Sequence, residues 1–195
     1  MSRNYKLYFK YLLFNIPHIH LKQNLKGFHN NSLVVPKLTF YYLALHLRFG
    51  SLFYMTQLSD IFAYELPVSN NHASGDIDPN NLAKRVSEAC VVYNFHNLLW
   101  QDRFFLFCID SKSGSNSSSL NSIAELFPNA SWLEREVGEL HGITFNNKKD
   151  VRNLMLQYGD TTTPFQKSAP SIGYKEVYYD SVSDILVETP VSIQI

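Results

Sequence analysis

Three features of the sequence predict an α+β fold: a small mixed α/β-sheet domain with a long extended C-terminal tail. Two neighbouring runs, Cys90–Leu98 and Arg103–Ile109, are dense in β-branched and aromatic residues and flank a turn at Gln101-Asp102. Two segments, one after Pro36 and one after Pro128, carry helical spacing. Beyond residue 143 that spacing fades, and Gly159, Pro164, Pro170, Gly173 and Pro190 punctuate the chain. A chain of 195 residues accommodates one such domain with an arm or a tail.

The elements follow in order. Leu33–Val35 reads as a short strand, and Pro36 sits where a helix favours proline, at its start. In the helix that follows, Leu38, Tyr41, Tyr42, Leu45 and Phe49 recur at three- and four-residue spacing, and Gly50 supplies the stop. Leu52–Leu58 and Ile61–Leu66 read as two short strands, residues 67–81 as a loop, and Asn81–Ala89 as a short helix. After the hairpin, residues 111–119 form a Ser-rich connection. In Ser131–Gly142 (SWLEREVGELHG), Ser131 and Glu134 have the spacing of a capping box, with a helix over Trp132–His141 and Gly142 as its left-handed cap. The tail over 160–195 carries Phe165, Ile172, Tyr174, Val177, Tyr178 and Tyr179, too apolar for a disordered linker. Wrapping of a partner is the favoured reading, and return to the domain's own sheet the alternative.

The charge is zero only on average. With 17 Lys+Arg against 17 Asp+Glu, residues 1–59 hold seven bases and no acid, and the first acidic residue is Asp60. The rest is therefore net −7, which excludes a wholly basic nucleic-acid binder and points to docking against something charged. Tyr5–Phe14 (YKLYFKYLLF) mixes aromatics with Lys6 and Lys10. It reads as an arm packed on a partner, with a terminal helix or a membrane-surface segment as alternatives. Those first residues are basic like a mitochondrial presequence, but their Tyr, Phe and Leu and their scarcity of Ser make that the less favoured reading. No run approaches the roughly 18 apolar residues of a membrane-spanning helix.

Chemistry is sparse. Cys90 and Cys108, both in strand context, read as buried inert thiols, and the seven histidines are scattered. No nucleotide, flavin, iron–sulfur or hydrolase motif is present. Glu136 and Glu139 lie one turn apart near His141, the only acid–base arrangement available, and a solvated or docking helix face is the favoured reading of them.

At the same helix the sequence resembles a known family. Trp132-Leu133-Glu134-Arg135-Glu136, then Glu139 and Gly142-Ile143-x-Phe145, are similar to the signature W-x-E-R-E-x-x-D/E-x-x-G-I-x-F of the 30-kilodalton subunit of respiratory complex I. The family includes the bacterial NADH:quinone oxidoreductase chain and its organelle-encoded counterpart, subunit 9. Downstream, Asp150-Val151-Arg152-Asn153-Leu154 with Tyr158-Gly159 resembles D-L-R-R-I…D-Y-G, and Pro164–Pro170 resembles P-L-R-K-D-F-P. Gly173-Tyr174-x-Glu176-Val177-x-Tyr179-Asp180 resembles G-Y-x-E-x-x-Y-D. The departures are Lys148-Lys149 for the family's H-P, Asn153 for its second Arg, and Gln166 and Ser168 for charged residues of the tail. These losses predict weaker charge-assisted anchoring of that tail.

The resemblance implies three regions: a basic aromatic arm over 1–32, the family-like α+β domain over 33–145, and the tail over 146–195 wrapping partner subunits. It implies a non-catalytic structural and assembly subunit of the quinone module of mitochondrial NADH:ubiquinone oxidoreductase, peripheral to the inner membrane on its matrix side. No cofactor is expected on this chain; FMN, iron–sulfur clusters and ubiquinone would belong to other subunits. The expected partners are the quinone-site subunit (the 49-kilodalton homologue) and the iron–sulfur subunits, with no nucleic acid. Glu134, Arg135 and Glu136 are the expected docking face, with Arg152, Lys167, Tyr174 and Glu176 securing the tail. The alternative is an organellar ribosomal or RNA-binding protein, motivated by the basic arm.

Overall fold

The fold is known from a computed structural model, which describes residues 32–53, 55–66, 88–98, 101–111 and 119–192. The arm, the 67–81 loop, the helix expected over 81–87 and most of the Ser-rich connection lie outside them. Glu88 and Ala89, expected to end that helix, instead begin a strand.

Four strands form the main sheet: β1 (Ser32–Val35), β2 (Thr56–Glu65), β3 (Glu88–Asn97) and β4 (Asp102–Ser111), in the order β1-β4-β3-β2. The hairpin β3–β4 is antiparallel and turns through Gln101, whose φ is +53°. Strand β1 adds in parallel to β4, while β2 pairs antiparallel with β3. As one of the two inner strands, β3 is buried on both faces. Ala89, Val91, Tyr93 and Phe95 enter the main core, and Cys90 and Val92 join Phe107 in a smaller cluster. The two thiols thus lie buried in different apolar clusters and form no disulfide, as expected of inert cysteines; burial pushes the Cys90 thiol up.

Strand β2 corrects the sequence reading. Residues 51–53 form a single 3-10 turn, and the two strands expected here are one strand with a bulge between Leu58 and Asp60. The extra residue moves the inward face from Thr56 and Leu58 to Ile61, so an unbroken strand has broken alternation. At this bulge the Asn129 side chain donates to the Leu58 carbonyl at 3.2 Å, tying the second helix to the sheet.

Helix α1 (Lys37–Phe49) runs between Pro36 and Gly50 as expected, but its inner face is not the one the spacing picked out. Phe40, Leu43, Ala44 and Leu47 are buried, with Phe40 against Tyr93 at a ring separation of 4.2 Å. Leu38, Tyr42, Leu45 and Phe49 are exposed. Both sets satisfy helical periodicity, and the sheet selects only one of them.

Helix α2 (Ala130–His141) closes the same core with Ala130 and Val137, helped by Leu120, Ile123, Leu126, Phe127 and Ile143. Strands β5 (Ser119–Asn121) and β6 (Thr144–Asn146) pair in parallel beside it. Residues 147–174 form neither helix nor strand, and the tail then closes a hairpin of its own, β7 (Lys175–Asp180) with β8 (Ile185–Pro190). That hairpin is a separate two-stranded sheet, so the tail does not return to the main one.

Candidate functional site

The site is the polar side of α2 and the segment folded over it. Its helix starts earlier than expected: Asn129 is the N-cap residue and makes no side-chain cap bond. The capping box is therefore not formed. Glu134 instead reaches into the protein, where it is 1% exposed. Its Oε2 accepts from Ser122 Oγ at 2.6 Å and from Lys148 Nζ at 3.2 Å, while its Oε1 accepts from the Ile123 amide at 2.8 Å. A longer-range partner set outcompeted the local one. Lys148 is equally enclosed, its side chain 3% exposed, and also donates to the Ser131 carbonyl at 2.9 Å. Burial pulls the Lys148 pKa down, and the Glu134 carboxylate only partly offsets it.

Arg135 faces the segment that follows β6. Its Nε donates to the Arg152 carbonyl at 2.8 Å and its guanidinium to the Asn153 carbonyl at 3.0 Å, with Asp150 at 3.6 Å. Asp150 is in turn gripped at both oxygens by the Arg152 side chain, at 2.9 and 2.8 Å, which holds its carboxyl well below the usual range. One turn on, Glu139 accepts from the amides of Leu154, Met155 (2.9 Å) and Leu156 (3.1 Å). Partial burial works to raise its pKa, but these amides and Arg135 overcome that, and the net shift is downward. Arg135 and Glu139 therefore clamp residues 150–156 against the helix.

The same arrangement argues against acid–base work. A carboxylate held ionised by three amides is a poor proton donor near neutral pH. It also sets a pH dependence. Because the folded pKa of Glu139 lies below its unfolded value, the clamp's contribution is complete above about pH 4.5 and is lost as pH falls through the folded pKa. The amide resonances of Leu154, Met155 and Leu156 should move together, with a midpoint below 4.5, in an NMR titration; a midpoint above that value would contradict the clamp.

The end of α2 is capped by the tail. Gly142 takes the left-handed conformation, φ +67°, with its amide on the Gly138 carbonyl. The Phe165 amide meets the Leu140 carbonyl at 3.0 Å, and the Gln166 side chain donates to the His141 carbonyl at 2.9 Å. Gln166, one of the departures from the family pattern, thus holds the tail by a neutral hydrogen bond. Lys148, another departure, supplies the buried partner of Glu134. At Gly142 a Cβ would stand 2.9 Å from Gln166 Nε2 and 3.0 Å from Thr163 Cγ2. Gly142→Ala should therefore destabilise by at least about 1–2 kcal/mol, the cost of the left-handed backbone alone, as read by denaturant unfolding.

Between α2, β6 and the clamped segment lies an open cleft of about 470 Å³, lined by the apolar Ile143, Phe145, Val151 and Leu156 and the polar Lys148 and Arg152 among others.

The structure thus brings Glu134, Arg135 and Arg152 together, but as partners within the chain. Glu136 is part-exposed on the same helix and makes no hydrogen bond or ion pair among the described residues. Lys167 is exposed, and its amide donates to Glu65 Oε2 at 2.8 Å, tying the tail to β2. Tyr174 is half-exposed, its carbonyl accepting from the Val191 amide at 3.2 Å, and Glu176 is exposed on β7. Ser122 was missed entirely, since nothing in sequence links it to Glu134. Glu139 was visible in the motif, but its amide partners were not.

The family model for the 30-kilodalton subunit of respiratory-chain NADH dehydrogenase matches residues 33–175. The chain belongs to this family. NADH dehydrogenase [ubiquinone] iron-sulfur protein 3 of Beta trigyna is 34% identical over 103 residues, 53% of this chain and 52% of that protein. NADH-ubiquinone oxidoreductase subunit 9 of Paramecium primaurelia is 37% identical over 89 residues, 46% and 40% respectively. A bacterial relative, a subunit of the NADH-quinone oxidoreductase of Ruegeria pomeroyi, is 33% identical over 118 residues, 60% and 57%. The chain thus spans about half the length of the curated relatives it matches. Among solved structures, a chain of the membrane-bound sulfane sulfur reductase, an archaeal respiratory membrane complex, shares the fold: TM-score 0.53 and 12% identity, over 82% of this chain and 81% of that one. A trypsin-resistant fragment of Nqo5 matches at TM-score 0.49 and 23% identity, over 73% of this chain and 98% of that one.

Among the described residues no helix is long and apolar enough to cross a membrane, and no group of three or more His, Cys, Asp or Glu is placed to hold a metal ion.

Proposed function

We propose that this chain is a non-catalytic structural subunit of mitochondrial NADH:ubiquinone oxidoreductase, placed in the quinone module of the matrix arm. There it would hold the quinone-site subunit and neighbouring iron–sulfur subunits so that electrons pass from NADH to ubiquinone, coupled to proton translocation. FMN, the clusters and ubiquinone would reside on those other subunits.

Family membership supports the assignment to that complex. The structural role rests on one observation: three of the four charged residues of the family signature are used inside the chain, Glu134 on Ser122, Ile123 and Lys148, Arg135 on residues 150–153, and Glu139 on the amides of 154–156. The tail supports a partner surface. An isolated two-stranded hairpin is at best marginally stable in water. β7–β8 exposes apolar side chains on both faces, with Val177, Tyr179 and Leu186 on one and Tyr178 and Ile185 on the other. A neighbouring protein laid over either face would supply the missing burial.

The test is an assay of the purified chain for electron transfer from NADH to ferricyanide or to a short-chain quinone. No activity above background is expected, and turnover by the chain alone would overturn the non-catalytic role.

A further inference from the structure

Helix α1 has two apolar faces, and only one is used within the chain. The outer residues Leu38, Tyr42, Leu45 and Phe49 are 78, 65, 38 and 71% exposed. Their spacing of four, three and four residues is that of alternating heptad d and a positions, and at about 100° per residue the four fall within roughly 60° of arc. A seam this narrow fits another helix; contact with a sheet or a bilayer surface calls for a broader face.

The flanks of the seam are basic. The exposed Arg48 and, in the first turn, Lys37 lie on one side of it, and the exposed His46 on the other. The helix, KLTFYYLALHLRF, contains no acid. Arg48 stands in the last turn, next to Phe49, with its guanidinium 5.8 Å from the Phe127 ring. The complement is an amphipathic helix with an apolar seam of its own flanked by Asp or Glu. Residues 1–31 do not supply it, since they carry Arg3, Lys6, Lys10, Lys22 and Lys26 and no acid. In α2, the other helix among the described residues, Glu134 and Glu139 are already engaged, which leaves Glu136 alone and no acidic flank.

We propose that the outer face of α1 is a docking seam for an acidic-flanked amphipathic helix of a different subunit. This rests on the proposed membership of a respiratory assembly of several subunits and names one kind of neighbour within it. In the native cell, the full-length chain carrying the photo-reactive residue p-benzoylphenylalanine at Tyr42 is incorporated into the complex and irradiated. The cross-linked peptide is then sequenced by mass spectrometry. The expected partner is a segment of another subunit with apolar residues at three- and four-residue spacing and a net negative charge. Cross-links to this chain's own residues 1–31, to a second copy or to lipid would overturn the proposal, as would no cross-link from an assembled chain. Exclusion of the labelled chain from a complex that admits the unmodified one would support the seam. Failure of the unmodified chain to enter the complex would instead refute the proposed function. In parallel, Arg48→Glu should lower incorporation at least tenfold while lowering the thermal midpoint of the purified chain by only the few degrees that loss of its Phe127 ring contact and a reversed charge in the last helical turn account for; undiminished incorporation would remove the charge complementarity on which the proposal stands.

Discussion

Replacing Glu134 by alanine is expected to destabilise the chain by about 3–5 kcal/mol, the cost of leaving one member of a buried ion pair without its partner. At roughly 2–4 °C per kcal/mol for a chain of this size, the melting temperature should fall by about 6–20 °C. The cause is local and specific. Lys148, with its side chain 3% exposed, would keep its charge or surrender it at a cost, and the Ser122 hydroxyl and Ile123 amide would each lose an acceptor. The pair makes a sharper test than the single substitution. Glu134→Met together with Lys148→Met removes both charges and fills the space with apolar atoms, so the double variant should be more stable than Glu134→Ala alone. If the two substitutions simply add, the ion pair is not what Glu134 contributes.

The second large effect is expected from Arg135→Ala. It removes two charge-assisted hydrogen bonds to the Arg152 and Asn153 carbonyls, worth about 1.5–3 kcal/mol each, and the ionic contact with Asp150. These carbonyls can turn to water once released, so most of the loss should appear as local opening and not as global unfolding. Hydrogen exchange of the amides over 150–156 should accelerate at least tenfold, and incorporation into the proposed respiratory complex should fall, because the tail leaves the helix through this segment. Arg135→Lys should restore only part of it, since an ammonium cannot reproduce the fork. Glu136→Ala provides the contrast. With no partner among the described residues, its loss should leave stability unchanged and affect assembly alone. Protected amides in Arg135→Ala would show that the clamp lies elsewhere.

Parts of this were legible in the sequence, and the pattern of what was not is physical. The hairpin β3–β4 was plain because its residue types and its turn agree with its pairing. The ends of α1 were plain because Pro36 and Gly50 mark them. Its orientation was not: Leu38, Tyr42, Leu45 and Phe49 form as regular a stripe as Phe40, Leu43, Ala44 and Leu47, and only the sheet distinguishes them. The bulge in β2 looked like a chain break because one extra residue reverses alternation. The capping box failed for the opposite reason, since a local partner for Glu134 was visible and the buried ones, 11 to 14 residues away, were not. In the tail, the β7–β8 turn carries no glycine, and Asp184 takes the positive φ of +53° that Asn-Gly or Asp-Gly would have announced. Gln166 reads in sequence as a lost contact and Lys148 only as a departure from the family pattern; in the fold Gln166 bonds the His141 carbonyl and Lys148 the Glu134 carboxylate.

If the chain works as a structural part of a respiratory NADH dehydrogenase, depleting it in its native cell should dismantle that enzyme. The measurement is native electrophoresis of membranes from depleted and undepleted cells, followed by in-gel staining for NADH dehydrogenase activity. The tagged chain should migrate with the high-molecular-weight activity band, and depletion should remove the assembled band while smaller NADH-oxidising subcomplexes remain. An intact band in depleted cells, with the chain migrating elsewhere, would contradict the structural role.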